Sequence, residues 1–122
     1  MIQFLHELLA SHAEARPEQV AIVWKDERIP YGELDRLTNQ VAQALRGHGC
    51  RPGDRVSLLM PNSANTLIAV LGILKAGCVV VPLDIRASAN LLSDILSDVQ
   101  PTLILASRSA DWKSTRLNSS HR

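Results

Sequence analysis

Apolar positions along the chain follow two rhythms, stripes spaced three to four residues apart and short unbroken runs, and their order outlines the architecture. Ile2 to Ala15 carries Leu5, Leu8, Leu9 and His12 at helical spacing, and Arg16-Pro17 stops that helix. Val20 to Trp24 reads as a strand, Lys25-Asp26-Glu27 as a polar turn and Arg28-Ile29 as a returning strand, which together make a hairpin with Trp24 packed beneath it; a ligand-stacking role for Trp24 is the alternative. Tyr31 to Gly47 is the most strongly periodic segment, with Tyr31, Leu34, Leu37, Val41, Ala44 and Leu45 on one stripe and charged or amide side chains elsewhere. Glu33 and Asp35 in its first turn and Arg46 and His48 at its end suit the helix dipole.

Gly47-His48-Gly49 ends this helix, and Arg51-Pro52-Gly53-Asp54 is a tight turn. Val56 to Met60 is the next strand, and Ser63 stands where it would cap a helix over Ala64 to Ala76 that is apolar on most sides. Gly77, suited to a left-handed helix terminus, leads into Val79-Val80-Val81, a run without polar alternation that predicts a strand buried on both faces, and Pro82 ends it. A helix from about Ser88 to Val99 has Leu91, Leu92, Ile95, Leu96 and Val99 as its buried stripe, and Thr102 to Ala106 is a last apolar strand. From Val56 onward the order is β-α-β-α-β with short links, which calls for parallel strands. The predicted fold is an α/β incomplete three-layer sandwich, a β-hairpin plus helix followed by a β-α-β-α-β parallel unit that leaves a sheet edge uncovered. Leu83 to Arg86 would then lie at the carboxyl edge of the sheet, where open α/β sheets place ligands.

At 122 residues the chain fits one modest domain. Aromatics contribute only 3% against 46% apolar residues overall, so the core has to be built from Leu, Val, Ile and Ala. The net charge is +1, but Lys113, Arg116 and Arg122 supply three of the 13 cations; without them ten basic residues face twelve acidic ones. That balance leaves no clustered basic face, so no nucleic-acid partner is expected. Cys50 and Cys78 form no C-x-x-C pair, so their spacing signals neither a zinc site nor a redox dithiol. His6 and His12 are six apart, on different faces of one helix, which does not suit metal ligation. The longest apolar stretch, Leu67 to Leu74, is too short to span a membrane, and a cytoplasmic location is expected.

Two stretches carry a recognisable text. Ile29-Pro30-Tyr31-Gly32-Glu33-Leu34 resembles the first core motif of the AMP-forming adenylating enzymes, the superfamily of acyl-CoA synthetases, nonribosomal-peptide adenylation domains and luciferases, and Leu74-Lys75-Ala76-Gly77-Cys78-Val79-Val80-Val81-Pro82-Leu83-Asp84 is similar to its second. Arg51-Pro52-Gly53-Asp54-Arg55-Val56, Met60-Pro61-Asn62-Ser63 and the opening helix with Arg16-Pro17-Glu18 agree in order, so the resemblance runs from about Phe4 to Ser107. Pro30 departs from the pattern by replacing a threonine that would cap the following helix; proline at a helix start still pre-sets the backbone angle.

The resemblance implies a two-step reaction in which a carboxylate attacks the α-phosphate of ATP, with Mg2+ neutralising the phosphates, and a thiol of CoA or of a carrier-protein phosphopantetheine then displaces AMP. Such chemistry needs a glycine-rich phosphate loop, an acid for the ribose and a lysine for the developing charge. The chain has no glycine after Gly77, so no catalytic or metal-binding residues are assigned within it and the fragment itself is expected to be inactive. Lys75 belongs to the structural motif at a helix end. Arg86 is the one cofactor-side candidate, because in acyl-CoA synthetases the segment after the valine-rich strand passes near the thiol entry; the alternative is a solvated loop arginine.

Residues 1–110 are therefore expected to be the N-terminal part of the large subdomain of an AMP-binding synthetase or ligase, whose partners are the C-terminal remainder of its own enzyme and a small-molecule carboxylic acid. Lys113 to His121 resembles the conceptual translation of a sequencing adapter, and residues 111–122 are expected to be a non-native disordered tail. Val79 and Val80 stand where peptide-synthetase domains commonly show Ala and Tyr, which leans toward an acyl-CoA synthetase and leaves the adenylation domain of a nonribosomal peptide synthetase as the alternative. A reading of another class is a short non-catalytic α/β interaction module that pairs through its open sheet edge.

Overall fold

Among the described residues nine elements follow one another in the order expected: α1 (Leu5–Ala15), β1 (Val20–Trp24), β2 (Glu27–Pro30), α2 (Tyr31–Gly47), β3 (Arg55–Leu59), α3 (Ala64–Lys75), β4 (Val79–Pro82), α4 (Ala89–Val99) and β5 (Leu103–Ala106). The computed structural model describes residues 5–106, with side chains from Glu7 onward. The expectations for Met1 to Phe4, for the side chain of His6 and for the adapter-like tail lie outside the described residues.

The strands form two sheets, the antiparallel hairpin β1-β2 and a parallel three-stranded sheet in the order β4-β3-β5. The fold is thus mixed α/β, with helices laid on a parallel unit. Trp24 opposes Glu27, so the hairpin turn is the two residues Lys25-Asp26, and Lys25 adopts the left-handed conformation (φ 55°) that such a turn requires. Trp24 is 37% exposed at the end of the ladder, with the Lys25 ammonium 5.9 Å from its ring centroid.

The valine-rich strand is not buried on both faces. Among the described residues β4 is an edge of the sheet, with β3 as its ladder partner, and Val79 is 49% exposed. The strand enclosed on all sides is β3, where Val56, Ser57 and Leu58 are buried between β4 and β5. Its single serine makes it the less apolar run of the two. Position in the sheet, set by the β4-β3-β5 order, decides burial here more than the unbroken valines do.

α2 buries Leu34, Leu37, Thr38, Val41, Ala42 and Leu45. Thr38 joins this face because its hydroxyl donates back to Leu34 O at 2.8 Å and Asp35 O at 3.0 Å, which removes the cost of placing a polar group there. α3 crosses α2 at Gly72, where a Cβ would stand 2.3 Å from Val41 Cγ1, so only glycine permits the observed approach of the two helices. On α1 the covered positions are Leu9 and Ala13, while Leu8 is 40% exposed and the exposed His12 ring stacks on Tyr31 with centroids 5.1 Å apart. The first amides of α2 have no side-chain cap at Pro30; Tyr31 N donates to Gln19 O and Gly32 N to Pro17 O, both at 2.9 Å. The missing threonine is replaced by backbone carbonyls from the segment before the hairpin.

α4 forms as the pattern predicts, with Ser88 Oγ accepting from Leu91 N at 3.1 Å and Gln100 closing it in the left-handed conformation. Its expected buried stripe is not buried. No residue of α4 is enclosed: Leu92, Ile95, Leu96 and Val99 are half-buried and Leu91 is 50% exposed, so the apolar face is only partly covered. Among the described residues no helix is long and apolar enough to cross a membrane.

Candidate functional site

The chain turns from β3 to β4 on one side and to β5 on the other, so the carboxyl ends of these strands flank a point where strand order reverses. Two loops meet that edge. After β4, Leu83 N donates to Leu58 O at 2.8 Å, which holds the chain to β3 for one more residue and buries the Leu83 side chain. Asp84 then folds the loop on itself: its Oδ1 accepts from Arg86 N at 2.9 Å and from Arg86 Nε at 3.2 Å, and Arg86 Nη2 lies 3.4 Å from Oδ2. The backbone N–H of Arg86 first, and its guanidinium second, hold the Asp84 carboxyl below the usual carboxylate range, and the same pairing raises Arg86. The Arg86 side chain is 87% exposed, so this pair is screened and fixes loop geometry more than stability.

The loop after β3 is fixed by a capping box. Ser63 Oγ accepts from Asn65 N at 3.2 Å, Ser63 N donates to Thr66 Oγ1 at 3.2 Å, and Thr66 Oγ1 donates to Pro61 O at 2.7 Å. Ser63 was expected as a cap from its position; Thr66 as its reciprocal partner was not.

Lys75 lies at the opposite end of α3 from Ser63. Its ammonium reaches Asp35 Oδ1 at 2.6 Å, Asn39 Oδ1 at 2.8 Å and Asp35 O at 3.3 Å, so all three of its donors are engaged on α2. Arg46 Nη2 closes the cluster by donating to Lys75 O at 3.1 Å. The motif around Lys75 thus contains a clamp between helices, which gives Lys75 partners on α2 besides the helix dipole. Glu7, Gln43 and Arg46 line a shallow cleft over this cluster.

The two cysteines are brought together although their spacing gave no such signal. Cys50 and Cys78 are buried free thiols whose electrostatics are coupled, and Cys78 Sγ donates to Arg51 O, the carbonyl of the residue after Cys50, at 3.4 Å. Burial pushes the Cys50 thiol up to about 11, with the charges of Cys78 and Asp54 adding to it; burial and then Asp54 also raise Cys78, where Cys50 and Arg46 act in the other direction.

Lys75 is fully engaged, Arg86 is already paired, and no three His, Cys, Asp or Glu side chains among the described residues could hold a metal ion. What the described residues form is a scaffold edge, with Arg86 displayed at its rim.

A parallel sheet with a strand-order reversal, helices laid on it and motif loops at its carboxyl edge defines one wall of an α/β ligand-binding domain. A family model described as AMP-binding enzyme matches residues 9–121, and the chain belongs to this family of adenylating enzymes. The matched range continues past Ser107 and takes in the adapter-like stretch. The chain is 39% identical over 105 residues to tyrocidine synthase 1 of Brevibacillus parabrevis, an alignment that covers 86% of this chain and 10% of that protein. It superposes on the inhibitor-bound N-terminal domain of FACL13 from Mycobacterium tuberculosis with a TM-score of 0.79 and 34% identity, over 86% of this chain and 27% of that one. The nonribosomal peptide synthetase FmoA3 gives a TM-score of 0.81 at 29% identity, over 94% of this chain and 12% of that one. The chain therefore spans about a tenth or less of the curated relatives it matches.

Proposed function

We propose that this chain supplies the N-terminal part of the large subdomain of an ATP-dependent acid–thiol ligase, which activates a carboxylic acid as an acyl-adenylate and passes it to the thiol of CoA or of a carrier protein. The observation that carries the reading is the placement of the motif from Leu74 to Asp84: it forms a helix-to-strand corner whose last residues open at the carboxyl edge of the sheet, next to the loop after β3. Residues beyond this chain supply the groups that hold ATP and Mg2+, and the enzyme works in the cytoplasm. The chain alone performs neither step.

The test has two arms. Residues 9–106, exchanged for the aligned segment of an acyl-CoA synthetase of known structure, should retain ATP–pyrophosphate exchange within roughly tenfold, about 1.4 kcal/mol of transition-state stabilisation. A folded, inactive chimera, or pyrophosphate exchange by the 122-residue chain alone, would overturn the reading. Within the active chimera, Arg86 acts at the CoA side. Arg86→Ala should raise KM for CoA severalfold with kcat little changed, and an unchanged KM removes that assignment.

The acceptor has a second reading. Identity of 39% to tyrocidine synthase 1 favours a carrier-protein thiol, as in a nonribosomal peptide synthetase, whereas Val79 and Val80 favour CoA. Transfer of the acyl group to free CoA or only to a phosphopantetheinylated carrier decides between them.

A further inference from the structure

The turn Arg51-Pro52-Gly53-Asp54 and the α3–β4 corner are laced together by Gly53 N to Gly77 O at 2.8 Å, Val79 N to Asp54 O at 2.8 Å and Cys78 Sγ to Arg51 O at 3.4 Å. Beneath that lacing Cys50 and Cys78 share one enclosed site. Cys50 is held to the end of α2 by its N–H on Leu45 O at 3.0 Å, and Cys78 to the end of α3 by its N–H on Ile73 O at 3.1 Å. Their side chains are 5% and 4% exposed. With Cys78 Sγ against the carbonyl of the residue that follows Cys50, the two buried thiols sit on backbone segments fixed to each other, the arrangement from which a disulfide can close.

We propose that Cys50 and Cys78 form a reversible thiol–disulfide site, in which a small-molecule disulfide of the glutathione type links the end of α2 to the α3–β4 corner. The Cys78 thiolate attacks one sulfur of the oxidant, forming a mixed disulfide and releasing the first small thiol. Cys50, deprotonated, then attacks Cys78 Sγ, the Sγ–Sγ bond forms and the second small thiol leaves. Two electrons and two protons pass to the oxidant. Burial first, and the Asp54 charge with it, disfavour both thiolates; only at Cys78 do Cys50 and Arg46 oppose this, so Cys78 is the first nucleophile. Burial makes the exchange slow at neutral pH, and it accelerates as pH rises toward the range where these thiols ionise.

The 122-residue chain, equilibrated with reduced and oxidised glutathione and then quenched with acid, provides the test. Oxidation should remove two hydrogens from the intact mass. Trypsin should then release residues 47–55, in which Arg51-Pro52 resists cleavage, joined to residues 76–86. The folded chain should favour the disulfide at least about tenfold over the same chain unfolded in urea, a difference of about 30 mV. Equal preference in the folded and unfolded chain, or glutathione adducts on both cysteines without the joined peptides, would overturn the assignment. Cys50→Ser should leave a single glutathione adduct on Cys78 and no loss of two hydrogens; persistence of that loss would also overturn it.

Discussion

Two helices with the same quality of apolar stripe, α2 and α4, end in opposite circumstances. α2 encloses six side chains between the hairpin, α1 and α3, whereas α4 encloses none and leaves Leu91 half in solvent. Periodicity therefore reports which face of a helix is fit for burial, and the presence of a covering layer is a separate fact that the surrounding chain has to supply. The same contrast separates β3 from β4. A strand with a serine in it is enclosed because it has neighbours on both sides, while three consecutive valines stand at an edge.

The sharpest way to break this comparison is at the α2–α3 crossing. Gly72→Ala places a methyl 2.3 Å from Val41 Cγ1, and should destabilise the chain by about 3 kcal/mol or more in urea unfolding; adding Val41→Ala should recover part of that loss. Leu45→Ala and Leu91→Ala then compare the two helices directly. Leu45 is fully enclosed and its truncation should cost about 3 kcal/mol, whereas Leu91, 50% exposed, should cost about 0.5 kcal/mol. Equal losses would mean that α4 is as well covered as α2.

A smaller effect is expected at the clamp. Lys75→Met keeps the aliphatic stem but leaves Asp35 and Asn39 without their partner, and should cost about 1–2 kcal/mol. Ser63→Ala, which removes one half of the capping box, should cost about 1 kcal/mol. The last effect is electrostatic. The Cys50 thiol lies near 11 in the folded chain against an ordinary value of 9.0, so the fold favours the neutral form. Its contribution is fully present below pH 9 and is lost as pH rises from 9 to about 11; a Cys50→Ala chain should show a flatter alkaline stability profile over that window.

Much of the architecture was legible because local and long-range signals agree. The helical stripes, Ser63 before α3, the turn at Arg51 to Asp54 and the left-handed Gly77 each rest on chemistry confined to a few residues, and each stands where the pattern places it. What was not legible depends on contacts between distant residues. Nothing local reveals that β5 pairs with β3 on the side away from β4, so Val79 was read as interior. Thr38 was not assigned to the buried face because its hydroxyl is satisfied only once the helix exists. The clamp between Lys75 and Asp35 spans 40 positions, and the meeting of Cys50 with Cys78 requires two corners to be stacked. Of the rim, the sequence pointed to Arg86; the chelation of its guanidinium by Asp84 two residues earlier is a feature of the loop conformation.

The carbonyls of Pro17 and Gln19 begin α2, and that arrangement carries a further consequence. The hairpin between them and Tyr31 is an excursion whose two ends are tied at its base by the 2.9 Å bond from Tyr31 N to Gln19 O. A ribbon anchored in this way can be exchanged for one of another length without shifting the first turn of the helix, whereas cutting the chain between Arg16 and Gln19 would fray α2 from its start even though the helix itself was left intact.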